Sequence, residues 1–283
     1  MLNKDMSLDH PRKVVPIDCE DSFINLKKIS ISIKERFLKM YFNANAGHVG
    51  SSLSCADILT ICKFHWCSSI NDEIILSKGH AAAALYATLA ESGDLSEEQI
   101  NTFYKDGTYL AAHPPANKLT KIPFATGSLG HGLSLATGLA LSDKFTGIKR
   151  KIFCITSDGE LNEGSTWEAS LFAAHHKLTN LFWLIDSNKI QGFGRTSDTL
   201  ELEPLKLKIE CFGWNVVETD GHCFSDLDNA MKTVSQLTFD KPNAIICNTI
   251  KGKDMYQLQD QIACHYLPMN QTCYSKTLEN ILE

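Results

Sequence analysis

The sequence predicts an α/β fold, a parallel sheet with helices on both faces. Apolar runs at Lys151–Thr156, Leu181–Ile185 and Asn243–Asn248 alternate with helical segments, and strands separated by helices pair in parallel through crossover connections. The runs are apolar along their length, as expected of strands buried on both faces. A chain of 283 residues with 43% hydrophobic content is long enough for one large domain with a well-buried core.

Along the chain, residues 1–22 read as a polar arm and residues 23–283 as one domain. Ile24 to Asn45 is expected to be a helix, with Ile29, Ile33, Phe37, Met40 and Tyr41 on its apolar face and an end near Gly47. Ser54 with Asp57 is expected to cap a second helix that runs to about His65. Glu73–Leu76 is a short strand, and the Ala-rich segment His80–Glu91 is a helix. Ser96-Glu97-Glu98-Gln99 has the form of a capping box. Lys105–Thr126 is rich in loop residues, and Gly130–Lys144 is a helix of small residues suited to close packing. The remainder reads as strand Lys151–Thr156, helix Ser165–Lys177, strand Leu181–Ile185, helix Glu203–Phe212, strand Asn215–Glu218, helix Ser225–Leu237, strand Asn243–Asn248 and a terminal helix Gln271–Leu282.

The net charge of −6, without an extended basic block, argues against nucleic acid or an anionic membrane as the main partner. A phosphate ligand remains compatible, because metal ions and helix N-termini supply local positive potential. No apolar run reaches the roughly 18 residues of a membrane span, and Met1–Asp21 lacks the apolar core of a signal peptide. Of ten cysteines, Cys55, Cys62, Cys154, Cys211 and Cys247 lie in apolar segments and no CxxC occurs, so reduced thiols and a cytoplasmic setting are expected. Zinc at Cys62, His65 and Cys67 would need a second ligand cluster that the spacing does not provide.

Ligands of parallel sheets bind beyond the carboxyl ends of the strands, where Asp158, Asn188 and Lys251 fall. Ser157-Asp158-Gly159-Glu160 follows one strand and Asp186-Ser187-Asn188-Lys189-Ile190 its neighbour. An Asp carboxylate, an Asn amide oxygen and a carbonyl near Ile190 suit magnesium, which takes oxygen ligands and completes its shell with water and phosphates. Gly159 opens a turn toward the helix at Ser165, whose N-terminus suits a diphosphate. The plainer alternative makes Asp158 and Asn188 ordinary turn residues. The spacing of Gly127-Ser128-Leu129-Gly130-His131-Gly132 is not that of a dinucleotide fingerprint, and no Walker loop occurs. His48, His80 and His113 each sit at an element boundary beside glycine, proline or small residues. Tightly turned backbone of that kind lets an imidazole reach a ligand as donor, acceptor or proton shuttle, although each taken singly also fits a cap or surface residue. His175 and His176, inside a helix, read as structural.

Together these strings resemble the N-terminal half of transketolase, a thiamine diphosphate enzyme. Gly47-His48-Val49-Gly50-Ser51-Ser52-Leu53-Ser54 is similar to its first histidine loop, and Leu76-Ser77-Lys78-Gly79-His80-Ala81 to its second. His113-Pro114 resembles the third, and Thr126-Gly127-Ser128-Leu129-Gly130-His131-Gly132 the turn that contacts the cofactor. The segment from Ser157 to Ile190 is similar to the family's thiamine diphosphate motif, and the resemblance covers residues 25–283.

That resemblance implies the thiamine diphosphate-binding domain fold and transfer of a two-carbon ketol unit between sugars or sugar phosphates. Thiamine diphosphate and Mg2+ are the implied cofactors. Asp158, Asn188 and the Ile190 carbonyl would hold the metal. His80, Gly159, Glu160, Lys251 and His265 would contact the diphosphate or nearby groups. Gly127, Ser128 and Leu129 would line the cofactor rings. His48, His80 and His113 would serve catalysis, and Glu163 would join a carboxylate network between paired sites. Ser157, Asp254 and Tyr266 stand where the family usually has glycine, and Gln191–Thr196 departs from the housekeeping pattern, as in a branch acting on specialised sugars. The chain ends near the close of the family's first domain. The expectation is therefore a split enzyme, with a partner chain carrying the pyrimidine-binding domain and two copies of each chain. Donor and acceptor choice would rest on that partner and on loop Lys105–Thr126. Another thiamine-dependent enzyme, of the deoxyxylulose-phosphate synthase or 2-oxo acid dehydrogenase α type, or a non-catalytic cofactor-binding relic, are the alternatives.

Overall fold

The computed structural model describes residues 19–116, 118–237 and 240–283, so most of the arm expected over residues 1–22 lies outside the described residues. Helices α1 (Cys19–Ala44) and α2 (Val49–Ile61) open the chain, followed by strand β1 (Glu73–Leu76), helices α3 (Ala82–Glu91), α4 (Glu97–Ile100) and α5 (Gly132–Thr146), and strand β2 (Ile152–Ser157). Then come α6 (Gly164–His175), β3 (Leu181–Ser187), the short strands β4 (Ile190–Gln191) and β5 (Gly194–Arg195), α7 (Thr196–Thr199) and α8 (Leu205–Cys211). β6 (Asn215–Asp220), α9 (Phe224–Leu237), β7 (Asn243–Asn248), α10 (Ala263–Tyr266) and α11 (Gln271–Leu282) close it.

β1, β2, β3, β7 and β6 form, in that order, one parallel sheet. β2 and β3 are buried at every position, which is why they read as unbroken apolar runs. Alternate residues feed two cores. Phe153, Ile155, Phe182 and Leu184 pack with α1, α2, α3 and α9, while Cys154, Trp183 and Ile185 pack with α5, α6 and α8. Gly132, Ala136 and Ala140 of α5 are buried, so small side chains let that helix lie close on the sheet. The capping box at Ser96 forms, with Gln99 as its partner, but opens a helix of only one turn.

Two early helices differ from expectation. α1 begins at Cys19, five residues before the expected start. α2 begins at Val49, not at Ser54, and gives way to a wider π-turn at Cys62–Trp66. All thirteen residues of α2 are buried, so it has no amphipathic stripe to read. Ser54 and Asp57 are interior residues, not caps. Ser54 donates to Asp186 at 2.6 Å, and Asp57 takes the Lys34 ammonium at 2.8 Å. Burial with internal partners has overridden the usual preference of Ser and Asp for exposed helix ends.

Among the described residues no helix is long and apolar enough to cross a membrane. Cys55, Cys62, Cys154, Cys211, Cys223, Cys247, Cys264 and Cys273 are free thiols. His65 is turned to Asp228 at 3.0 Å, and among the described residues no group of His, Cys, Asp and Glu is arranged to hold a metal through those types alone.

Candidate active site

The carboxyl ends of four strands meet at one edge of the sheet. β1 leads into Lys78 and His80, β2 into Asp158, β3 into Asn188, and β7 into Lys251. Asp158 is 1% exposed. Its Oδ1 accepts the Gly159 N–H at 2.7 Å and its Oδ2 the Lys189 N–H. Among the described residues it has no ion pair, and its carboxyl is pushed up to about 6, first by burial and then by Asp186. The Asn188 amide oxygen accepts the Ile190 N–H at 3.1 Å, and the Ile190 carbonyl takes the Lys251 ammonium at 2.9 Å. A buried carboxylate outside any ion pair among the described residues, an amide oxygen and a carbonyl make a hard oxygen set that fits a divalent cation. Lys251 is buried and held down to about 8, by burial first and then by Lys78. It is the cation nearest this set and suits a phosphate oxygen.

Beneath the site lies a pair the sequence reading did not single out. Lys78 and Asp186 are fully buried and in contact. The Lys78 ammonium also donates to the Ser51 carbonyl at 2.9 Å, and Asp186 accepts from Ser54 and Thr249. Burial works against both charges, yet each holds the other ionised: Lys78 lies above, and Asp186 below, its ordinary range. Charged residues inside otherwise apolar strand ends were the available signal.

Histidines from four separate segments converge over this edge. The ring of His48 lies 5.7 Å from His80, 6.4 Å from His113 and 5.2 Å from His265, and His80 lies 5.5 Å from His265. His48 sits in the left-handed region at φ 70, and its N–H donates to the His265 carbonyl at 3.1 Å. Gly127, at φ 131, lies so close to His113 that an added Cβ would sit 2.6 Å from the ring, so the Gly127-Ser128-Leu129 turn reaches the cluster only with glycine there. Gly159 is similarly tight against Gln191, at 2.8 Å. His265 Nδ1 is buried without a partner among the described residues, a polar atom left for a ligand.

All four imidazoles are held in the neutral form. Burial lowers His80 well below its ordinary value, helped by Lys78 and Lys251; burial and Lys251 push His265 down to about 3. Burial, His113 and Lys251 lower His48, and burial alone lowers His113. Unfolded imidazoles titrate near 6.5, so below that pH the unfolded chain takes up protons the native cluster declines. Stability should fall as pH drops from 6.5 toward 5.5, with His265 contributing roughly 1 kcal/mol of loss relative to pH 7.5 and His80 adding to it in the same direction. Urea unfolding at pH 7.5, 6.5 and 5.5 measures this. A flat profile, or one unchanged in His265→Gln, would mean that these rings are solvated.

The Glu160 carboxylate, expected near the cofactor, is hydrogen-bonded within the protein. It accepts from Ser77 and, at 2.8 Å, from the Gly130 N–H. It anchors the glycine turn, a role hidden in sequence because its partners come from distant segments. Ser157 joins that anchor, its Oγ accepting the Glu160 N–H at 3.3 Å. Glu163 is exposed, with its stem against Gly130. Asp254 has a left-handed φ of 67 and pairs with Lys253 at 2.9 Å, so its charge is answered locally. Tyr266 donates to the Gly192 carbonyl at 2.7 Å, tying α10 to the β4–β5 hairpin. The two departures at Tyr266 and Gln191–Thr196 are thus one structural unit. The described residues of 105–126 form a loop, as expected, that carries His113 to the cluster, with Tyr86 donating to the His113 carbonyl at 3.2 Å.

The family model described as "Transketolase, thiamine diphosphate binding domain" matches residues 31–279. An apulose-4-phosphate transketolase subunit of Actinobacillus succinogenes is 38% identical over 255 residues, spanning 87% of this chain and 91% of the relative. The 6-deoxy-6-sulfo-D-fructose transketolase subunit SqwG of a Clostridium species is 33% identical over 268 residues, spanning 91% of this chain and 96% of the relative. The crystal structure of transketolase from Campylobacter jejuni superposes with a TM-score of 0.85 at 30% identity, over 90% of this chain but only 42% of that one. The chain thus spans nearly the whole of the subunit relatives and about two-fifths of the longer enzyme. The match of the family model to residues 31–279, together with relatives above 30% identity spanned almost end to end, shows that the chain belongs to the transketolase family, as its thiamine diphosphate-binding domain.

Proposed function

We infer that this chain is the cofactor-binding subunit of a split transketolase-type transferase, moving a two-carbon ketol unit from a ketose to an aldose. The observation that carries the reading is the meeting of the buried Asp158 carboxylate, Asn188 and the Ile190 carbonyl with four neutral histidines at one sheet edge. Thiamine diphosphate is the cofactor of this domain family; when bound it supplies the electron sink for breaking and making the C–C bond. Asp158, Asn188 and the Ile190 carbonyl would hold Mg2+. Lys251, His80, His265 and Gly159 would face the diphosphate, with Gly127, Ser128 and Leu129 along the rings.

His48, His80 and His113 remain neutral near pH 7, so each can take a proton from a sugar hydroxyl or donate an N–H to its oxygen. Lys251, now on the Ile190 carbonyl, would turn to phosphate when a metal takes that oxygen. We place the pyrimidine-binding domain on a partner chain, supported by relatives of matching length named as transketolase subunits. Residues 23–283 form one domain in this reading, in an assembly of two copies of each chain acting on sugars or sugar phosphates. Glu163, exposed beside the Gly130 turn, would link paired sites. Free buried thiols fit a cytoplasmic setting.

Calorimetric titration of thiamine diphosphate with Mg2+ into this chain, with and without the product of the neighbouring reading frame, tests the reading. Binding that strengthens with the partner, followed by turnover of a ketose donor, is the expected result. No binding in either mixture overturns it, and turnover of pyruvate instead of a ketose would move the enzyme to another thiamine-dependent class.

A further inference from the structure

A buried polar chain runs from α1 to the loop that carries Lys251. Asp57, in the middle of α2, is 4% exposed. Its Oδ1 accepts from Ser30 at 2.5 Å and from Lys34 at 2.8 Å. Its Oδ2 faces His222 Nδ1 at 2.9 Å. On the other edge of that ring, Nε2 faces the Ile250 N–H at 2.9 Å. A backbone N–H can only donate, so Nε2 carries the lone pair and the proton sits on Nδ1, against the carboxylate. Although burial opposes its charge, Lys34 and His222 hold the Asp57 carboxyl well below the usual range, so the ring is clamped by a fixed anion.

His222 follows β6, and Ile250 follows β7 one residue before Lys251. The neighbouring backbone is pinned residue by residue. The Thr249 N–H donates to the Ser187 carbonyl at 3.2 Å, the Gly252 N–H to the Gly50 carbonyl at 3.0 Å, and the Lys251 carbonyl accepts the Asp260 N–H at 2.8 Å. Ile250 is 37% exposed, so apolar burial restrains it weakly; its carbonyl accepts the Lys253 N–H at 3.1 Å, and the imidazole anchors its N–H. The result is the aim of the Lys251 ammonium at the Ile190 carbonyl, beside Asp158 and Asn188.

We propose that His222, held by Asp57 and Lys34, is a positioning residue that fixes the Ile250–Lys251 backbone and so aims Lys251 at the diphosphate side of the site. The residue acts through Lys251 and touches neither cofactor nor substrate. The proposal rests on the functional reading above. It brings the fifth strand of the sheet, β6, into the working edge.

Two variants test it. His222→Phe fills the ring's volume without a polar edge. His222→Gln keeps a donor for Asp57 and an acceptor for Ile250. In the full chain without ligand, hydrogen exchange read by mass spectrometry should speed up about tenfold at Ile250 in H222F, as expected for losing one hydrogen bond. Peptides from β2 and β3 should exchange as in wild type, and H222Q should restore the slow rate. Labelling of Lys251 by an amine-reactive ester should rise in parallel. In the titration above, H222F should bind Mg2+–thiamine diphosphate about tenfold more weakly, and H222Q close to normally. Unchanged exchange at Ile250 in H222F, or equal loosening of β2 and β3, overturns the proposal. Wild-type binding with unchanged H222F affinity overturns it alone, whereas absence of wild-type binding overturns the functional reading as well.

Discussion

Lys78→Met is expected to destabilise the chain by about 3–5 kcal/mol, the range for breaking one side of a buried ion pair. Lys78 and Asp186 are both fully buried, so no water replaces the lost ammonium. Asp186 would be left with the hydroxyls of Ser54 and Thr249 as partners. These hydrogen bonds soften the charge without neutralising it. At roughly 2–4 °C per kcal/mol for a chain of this size, the midpoint of thermal unfolding should drop by roughly 10 °C. The double variant Lys78→Met, Asp186→Leu should recover part of that loss, because it removes the stranded carboxylate too. A single variant within about 0.5 kcal/mol of wild type in urea unfolding would mean that the pair is hydrated. The consequence extends to the site, since Asp186 lies two residues before Asn188 and Lys78 two before His80. A loosened pair would blur both positions.

Asp158→Asn should act with opposite signs on stability and on binding. The native carboxylate is buried, lacks an ion pair among the described residues and is pushed up to about 6. An amide keeps an acceptor for the Gly159 or Lys189 N–H while removing the buried charge. Without metal, the variant is therefore expected to be at least as stable as wild type. With metal the order reverses. Wild type should gain about 2.7 kcal/mol at a ligand concentration one hundred times Kd, whereas the variant should gain nothing measurable. Activity of the assembled enzyme should fall at least ~100-fold, consistent with losing a charged ligand to the cation. Thermal unfolding with and without Mg2+–thiamine diphosphate separates the two effects. Equal stabilisation of both proteins would remove Asp158 from the metal set.

The fold is legible in the sequence where its signal is local. β2 and β3 were legible because both faces are covered, which leaves continuous apolar runs. α11 was read to the residue because Asn270 caps it through Cys273 and its buried side chains Cys273, Thr277 and Ile281 recur at helical spacing. α2 failed for the opposite reason: a helix buried on every side has no polar face, and its serines and Asp57 mimic a helix start. The β4–β5 hairpin was missed because two-residue strands carry no periodicity.

The candidate site divides the same way. Asp158, Asn188 and Lys251 could be placed from sequence, because strand ends in a parallel sheet point to one edge. His48, His80 and His113 stood out through their glycine and proline neighbours. What the sequence determined by itself was which chemistry sits at which strand end, since that depends on residues a few positions apart. The tertiary structure alone decided which charges answer each other. Lys78 meets Asp186 across 108 positions and His222 meets Asp57 across 165. It also turned Glu160 inward and left Asp158 without an ion pair among the described residues. Such pairings depend on which side chains share a low-dielectric interior once the sheet is assembled, and no local pattern encodes that neighbourhood.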